Sequence, residues 1–429
     1  MPDGRTHDPV HVVCNAVAGS GHGRALLAER VRPLLCEWHA CQPTRAAPIF
    51  HETDADKGAR QVGEQLAATA APDRRLAVVV IGGDGTAHEL LDGMASATPA
   101  SAARAPLDLV LVPTGTANAL FHSLYGGSPP RKEAGDAWRL QALRAFLCGT
   151  SETRPLTLLS ARTSGAQGAA AHIAGVVVSH ALHAAILRDS EALRSEYPGI
   201  ERFKVAAAKN TARWWNARLL LLPTSGGYVQ QYSSATRRFE DVVVSPPDAH
   251  VDAHRRVELE SPFSYVNAMV VDRLEPAFVP APFAGDADRP EIARPRDAVD
   301  IVVVRPLRSP AVRAAWCADE KTHARQAFAD GPLTDVMFQG MYEGGVHVDF
   351  VYGNDGEVLH GGGRGVPVVE YFRAGGYEWI AVRPSATIKA KTQSPDDPSA
   401  QAACVDGTVL DADTTCVAVL GGWDVTAWK

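Results

Sequence analysis

The stretch VVVIGGDGTAHELLDGM, residues 78–94, runs an apolar β-branched segment into three glycines, an aspartate and a threonine, and then into residues with helical apolar spacing. A strand that is apolar on both faces belongs inside a sheet covered on both sides. The flanking sequence repeats the unit. VHVVCN (10–15) reads as a strand before the helix GRALLAERVRPLL (23–35), and KGARQVGEQLAATAA (57–71) is a second helix. LDLVLVPTG (107–115) is another buried strand, followed by the helix TANALFHSLYG (116–126). This alternation predicts an α/β domain over residues 1–150, three-layered around a parallel sheet. Ligands collect at the carboxyl ends of such strands, where both glycine turns lie.

From about Thr150 the pattern changes. AHIAGVVVSH, ARLLLLP, GYVQQYSS, EDVVVSP, YVNAMVV, DIVVVRP, VVEYFRA, YEWIAVRP and TTCVAVL read as short strands between turn-formers, and only AAILRDSEALR with its continuation is clearly helical. Residues 151–429 are therefore expected to form a mostly antiparallel β-sandwich domain, with loops at 233–262, 280–297 and 393–400.

Composition narrows the function classes. A formal net charge of -7 argues against a nucleic-acid partner, whose phosphates select basic surfaces. It leaves a membrane partner open, because a local basic or apolar patch suffices for docking. Seven cysteines without a CxxC pair point to reduced thiols, and the N-terminal MPDGRTHDPVHVVCN lacks the apolar core of a signal peptide. No run reaches the roughly 18 apolar residues of a membrane span. A cytoplasmic protein in peripheral contact with membranes is the expectation. There is no GxSxG elbow and no GxxxxGK[ST] loop. His180 and His183 lack a completing carboxylate or cysteine set, so they read as core or surface histidines and no metal ligand is assigned.

Phosphate requires converging backbone N–H donors, and glycine permits the close approach. Gly82, Gly83, Asp84, Gly85 and Thr86 supply such a turn, with Glu89 one helical turn on; a plain strand-to-helix turn capped by Asp84 is the alternative. GGDGT resembles the signature of the lipid kinases that share the diacylglycerol kinase catalytic domain, although NAD kinases and phosphofructokinases carry a similar GGDG. LVPTGTANALFHSLYG resembles the same family's PxGTxNxxA element, here Gly115, Thr116 and Asn118. CNAVAGSGHGRA stands where the family has an NPxSG-type loop, with Asn15 kept and Ala16 replacing proline, and HETDADKGA offers Thr53 as a nucleotide contact.

AAILRDSEALRSEYPGIERFKVAAAKN resembles a sphingosine-kinase segment. The resemblance implies that Arg194 and Arg202 clasp nucleotide phosphates, and that Asp189 and Glu191 stand near the lipid head or the metal. Guanidinium forks suit that task because they pair bidentately with phosphate oxygens. Two departures stand out: Leu187 replaces the aspartate that recognises the sphingoid amino group, and ACVDGTVLD keeps Asp406 and Gly407 of a DGE turn but has Thr408 for its glutamate. A rival Asp355-Gly356-Glu357 has loop-like flanks.

The resemblance implies an ATP- and Mg2+-dependent kinase that transfers the γ-phosphoryl group to a lipid primary hydroxyl. A sphingoid long-chain base is the expected acceptor, and Asp84, facing a cleft between the domains, the catalytic residue. Diacylglycerol or ceramide kinase, an NAD kinase-like enzyme and a non-catalytic lipid-binding relative remain as alternatives, and a homodimer is left open.

Overall fold

The computed structural model describes residues 9–429 apart from 20, 43, 54–57, 100–101, 127–134, 150–151, 167, 198, 200, 243–248, 286–291 and 383–399. Its first sheet has six strands in the order Ile49–Thr53, Val10–Asn15, Leu76–Gly82, Leu107–Pro113, Val425–Trp428, Thr153–Pro155. The first five run parallel, and Thr153–Pro155 closes the edge antiparallel.

Alternate side chains of these strands feed two cores. Val10, Val12, Val79, Ile81, Val110 and Val112 pack with Leu27, Val31, Leu35, Leu143 and Phe146 on one face. Val13, Val78, Val80, Leu109 and Leu111 pack with Val62, Leu66, Leu90, Leu91 and Met94 on the other. Strands of this composition can sit only between two helical layers, because both faces must leave water.

Three short strands, Val358–Leu359, Val351–Tyr352 and Val366–Pro367, make a small sheet of their own, and the others form two large antiparallel sheets. One has eight strands: Arg238–Asp241, Gln230–Ser233, Glu370–Ala374, Val299–Val304, Tyr265–Met269, Val177–Ala181, Ala402–Val405 and Thr408–Asp411. The other has seven: Ala249–Val251, Val257–Leu259, Ala217–Leu222, Gly376–Ala381, Thr414–Val419, Leu159–Gly165 and Gly168–Ala174. Their inner faces share one apolar core, including Leu219, Leu221, Val266, Ile301, Phe372 and Trp379, and that core is continuous with the Leu90–Met94 side of the first sheet.

The expected fold class, α/β followed by antiparallel β, is what the structure shows, with four local corrections. Sheet membership does not follow a boundary at residue 150, because Val425–Trp428 returns to pair with Leu107–Pro113. AHIAGVVVSH is two strands in different sheets, broken at Gly175-Val176. Residues 233–262 hold strands as well as loops. Helical turns run from Pro310 to Met341, a stretch expected to have none. The start of that stretch carried a signal: Ser309 accepts the Val312 N–H at 3.4 Å, with proline at the first helical position.

Candidate active site

The two glycine turns touch. Thr114 N–H donates to Gly82 C=O at 2.8 Å, setting the ends of adjacent strands side by side. A Cβ on Gly83 would lie 2.9 Å from Gly115 Cα, and one on Gly115 would lie 2.5 Å from Gly83 Cα. Either side chain would force the backbones apart, so glycine here is a packing requirement. Asn118 closes its own turn: its Oδ1 accepts Gly115 N–H and its Nδ2 donates to Gly115 C=O, both at 2.9 Å, with φ at 54°. Asn15, at the end of its strand, donates from Nδ2 to Thr86 Oγ1 at 3.3 Å. Gly19 of the first loop sits so close to Thr114 that a Cβ would meet its carbonyl oxygen at 2.2 Å. Thr53 is buried, and its hydroxyl donates to Cys14 C=O at 3.3 Å. Glu89 is half-buried, whereas Gly85 and Thr116 are exposed on the rim.

Asp84 opens the helix Asp84–Ala97, but its carboxylate does not face an open groove. Oδ2 accepts Ala119 N–H at 2.8 Å and Oδ1 accepts Leu120 N–H at 3.0 Å, so Asp84 caps the neighbouring helix Ala119–Tyr125. The crevice beneath it, bounded by Val80, Leu111 and Phe121 among others, measures about 20 Å³, room for little more than one water. Burial pushes the carboxyl pKa up to about 6; the two N–H bonds oppose that rise and the charge of Asp406 adds to it.

Asp406 comes from the far end of the chain. With Gly407 it forms the two-residue turn between Ala402–Val405 and Thr408–Asp411, at φ 46° and 95°. A hairpin turn alone would leave the side chain in solvent. Instead the carboxylate accepts N–H groups from Gly175 at 2.6 Å, Val176 at 3.0 Å and Val177 at 2.7 Å. Burial raises its pKa, against the pull of His88 and of those N–H groups. Thr408 is exposed beside it, while Glu357 of the rival turn lies on an exposed loop and accepts Asp355 N–H at 3.1 Å.

Asp189, Glu191, Arg194 and Arg202 gather separately. Asp189 and Glu191 lie on the helix Leu182–Ala192, which follows the strand whose first N–H, at Val177, binds Asp406. Glu191 Oε1 lies 2.9 Å from Arg194 and 3.6 Å from Arg202, and among the described residues these are the two arginines' ion pairs. Arg194 is exposed, whereas Arg202 lies over the Phe203 ring with its Nε buried and unbonded. Asp189 accepts from Asn210 Nδ2 at 2.8 Å and Arg188 Nε at 3.2 Å. Leu187 packs on Ala184, Ala402 and Cys404.

The sequence reading missed His88. Its Nδ1 lies 2.8 Å from Ile173 C=O and 3.7 Å from Asp406 Oδ2, so it joins the Asp84 helix to the segment that Asp406 grips. The available signal was spacing: Asp84, His88 and Asp92 recur every four residues and share a helix face. His180 and His183 are core residues, bonded to Tyr377 and Ser179 and held neutral by burial.

The donor set suits a triphosphate with its cation. The Asp84 helix presents its N-terminus beside Gly85, where nothing lies within 4 Å of a Cβ position. A carboxylate whose pKa is raised by the charge of a second, as Asp84's is by Asp406, favours a positive charge nearby.

Residues 9–149 match the diacylglycerol kinase catalytic domain family. No curated protein matches the chain. Among solved structures, a putative diacylglycerol kinase from Bacillus anthracis str. Sterne is 15% identical over 100% of this chain and 98% of its own, with a TM-score of 0.51. A second diacylglycerol kinase from that organism is 14% identical over 98% and 97%, at a TM-score of 0.45. Yeast NADH kinase complexed with NADH is 9% identical over 99% and 84%, at 0.37. Residues 9–149 are thus similar to the diacylglycerol kinase catalytic domain, and the whole chain shares the fold of the first bacterial structure.

Proposed function

We propose that the protein is an ATP-dependent lipid kinase acting on a primary hydroxyl. The observation that carries this reading is the convergence of two abutting glycine turns with two carboxylates from distant parts of the chain, Asp84 and the buried Asp406, whose charge raises the pKa of Asp84. The crevice under Asp84 is too small for a nucleotide, so phosphates would be held over the exposed rim at Gly85 and Thr116. Mg2+-ATP bound there supplies the γ-phosphoryl group. Phosphoryl transfer asks the protein mainly for positioning and charge compensation. Gly85 lets the phosphates approach, the helix N-terminus donates N–H bonds, and in this reading Arg194 and Arg202 exchange Glu191 for phosphate oxygens. Asp84 fixes the Asn118 turn relative to its own helix. With its pKa near neutrality, it can take the hydroxyl proton late in transfer.

Between a sphingoid base and diacylglycerol, the second is favoured. An ammonium head needs an uncompensated carboxylate, but position 187 offers a packed leucine and Asp189 is already paired with Arg188 and Asn210. Peripheral contact with a membrane follows from a lipid acceptor. The test is label transfer from γ-labelled ATP to diacylglycerol, ceramide, long-chain bases and NAD, with Asp84→Asn as control. Labelled diacylglycerol is expected. Labelled long-chain base alone would reverse the acceptor assignment, labelled NAD alone would remove the lipid, and nucleotide binding without transfer to any acceptor would remove the kinase.

A further inference from the structure

One cluster of ligating side chains lies beyond the glycine turns. His88, Asp92 and His172 each bring a donor atom within 4.8 Å of the other two. We propose that they form a site for a zinc-class divalent transition ion that ties the α/β domain to the sandwich. His88 and Asp92 stand four residues apart on one face of the Asp84 helix, and His172 comes from the strand Gly168–Ala174, an edge strand of the sandwich. Two imidazoles and one carboxylate suit zinc, cobalt or nickel and leave a position for water, whereas magnesium prefers an all-oxygen shell.

The outer partners such ligands require are in place. His88 Nδ1–H donates to Ile173 C=O at 2.8 Å, which leaves Nε2 as the lone pair. Asp92 Oδ1 accepts Ile173 N–H at 2.9 Å, which orients the carboxylate. His172 Nδ1 lies 3.3 Å from Asp92 Oδ2. That matches the separation of about 3.3–3.4 Å between two tetrahedral ligands at ~2.0–2.1 Å from zinc. His172 is 17% exposed against 4% for each partner, so an ion has an entrance from solvent on its side. The nearby Asp406 carboxylate adds negative potential.

Arg60 is the competitor. Its guanidinium pairs with Asp92 Oδ2 and also bonds Glu64 at 3.2 Å and Ser96 at 3.0 Å. In the metal-free protein the guanidinium compensates Asp92. An arriving ion displaces it from that oxygen, while Glu64 and Ser96 retain it. A bound ion then clamps the helix that begins at Asp84 onto the strand leading to the turn gripped by Asp406.

This inference is independent of phosphoryl transfer and is tested without it. The EDTA-stripped full-length chain is titrated with Co2+, followed by Zn2+ in competition. One Co2+ per chain is expected, with visible d–d absorption and no thiolate charge-transfer band. His172→Ala and Asp92→Asn should each weaken binding about 10- to 100-fold, the range for losing a ligand or its support. Arg60→Met should tighten it about tenfold, since the competing charge is gone. The proposal is overturned if neither the wild type nor Arg60→Met takes up Co2+, if a thiolate band shows the ion on cysteine, or if His172→Ala and Asp92→Asn bind like the wild type.

Discussion

Replacing Asp84 with asparagine separates the two jobs the structure gives this carboxylate: capping the Ala119–Tyr125 helix and carrying a buried charge. Burial raises its pKa from 3.8 to about 6. At about 1.4 kcal/mol per unit that is roughly 3 kcal/mol for a fully enclosed group. The residue is half-buried, so solvent screening reduces the effect to about 1–2 kcal/mol. Between pH 3.8 and about 6 the folded protein holds a proton that the unfolded chain has lost. Stability contributed by this group is therefore greatest below that window, falls as pH rises through it, and stays lower above. Asparagine does not titrate.

The variant also keeps only one side-chain oxygen for two helix N–H groups and turns an NH2 toward the other, at a cost of about 1 kcal/mol at every pH. Urea unfolding of both proteins from about pH 4 to about pH 8 gives the difference directly. The wild type should lead most at the acid end, and its lead should shrink by about 1–2 kcal/mol by neutrality. A lead that is flat or that grows with pH would refute the burial argument. Turnover should fall about 10²- to 10⁴-fold in the variant, and wild-type turnover would take the reaction away from Asp84.

The glycine turns make a paired prediction. Gly83→Ala should lose about 1–3 kcal/mol of stability, because its Cβ meets Gly115 backbone at 2.9 Å. Gly85→Ala should fold normally yet raise the KM for ATP, since only a ligand would meet the new methyl group; thermal melts with steady-state kinetics distinguish them. Asp406→Ala should destabilise by about 2–4 kcal/mol in urea unfolding, because three buried N–H groups lose their acceptor. Arg194→Ala, at an exposed position, should leave the unfolding midpoint unchanged and raise the KM for ATP about tenfold or more, the value of one charge-assisted phosphate contact. An unchanged KM would detach the arginine pair from the nucleotide.

How far the sequence could be read follows from the range of the forces involved. The α/β portion was legible because two-sided apolar strands and glycine turns are local requirements. GGDGT and PTGTAN mark the same strand ends whose backbones meet at Gly83 and Gly115. The return of Val425–Trp428 into the first sheet was not legible, because VTAW is too short to show periodicity and its pairing with Leu107–Pro113 joins residues 318 positions apart. Pro310–Met341 was missed although its Ser-Pro start was in plain view; the neighbouring strands dominated the pattern.

Asp84 is the instructive case. Composition and position both suggest a carboxylate waiting for a ligand, and nothing local says that the two nearest N–H groups belong to residues 35 and 36 positions away. A buried carboxylate must find donors or lose its charge. The open start of the Ala119–Tyr125 helix, with no side-chain cap of its own from Asn118, is where those donors are. Asn118 cannot serve as that cap, because its side chain is already spent on Gly115. The two motifs therefore complete one another: the first supplies the anion and the second the unsatisfied helix end. Both are needed before either turn has a fixed shape to offer a phosphate.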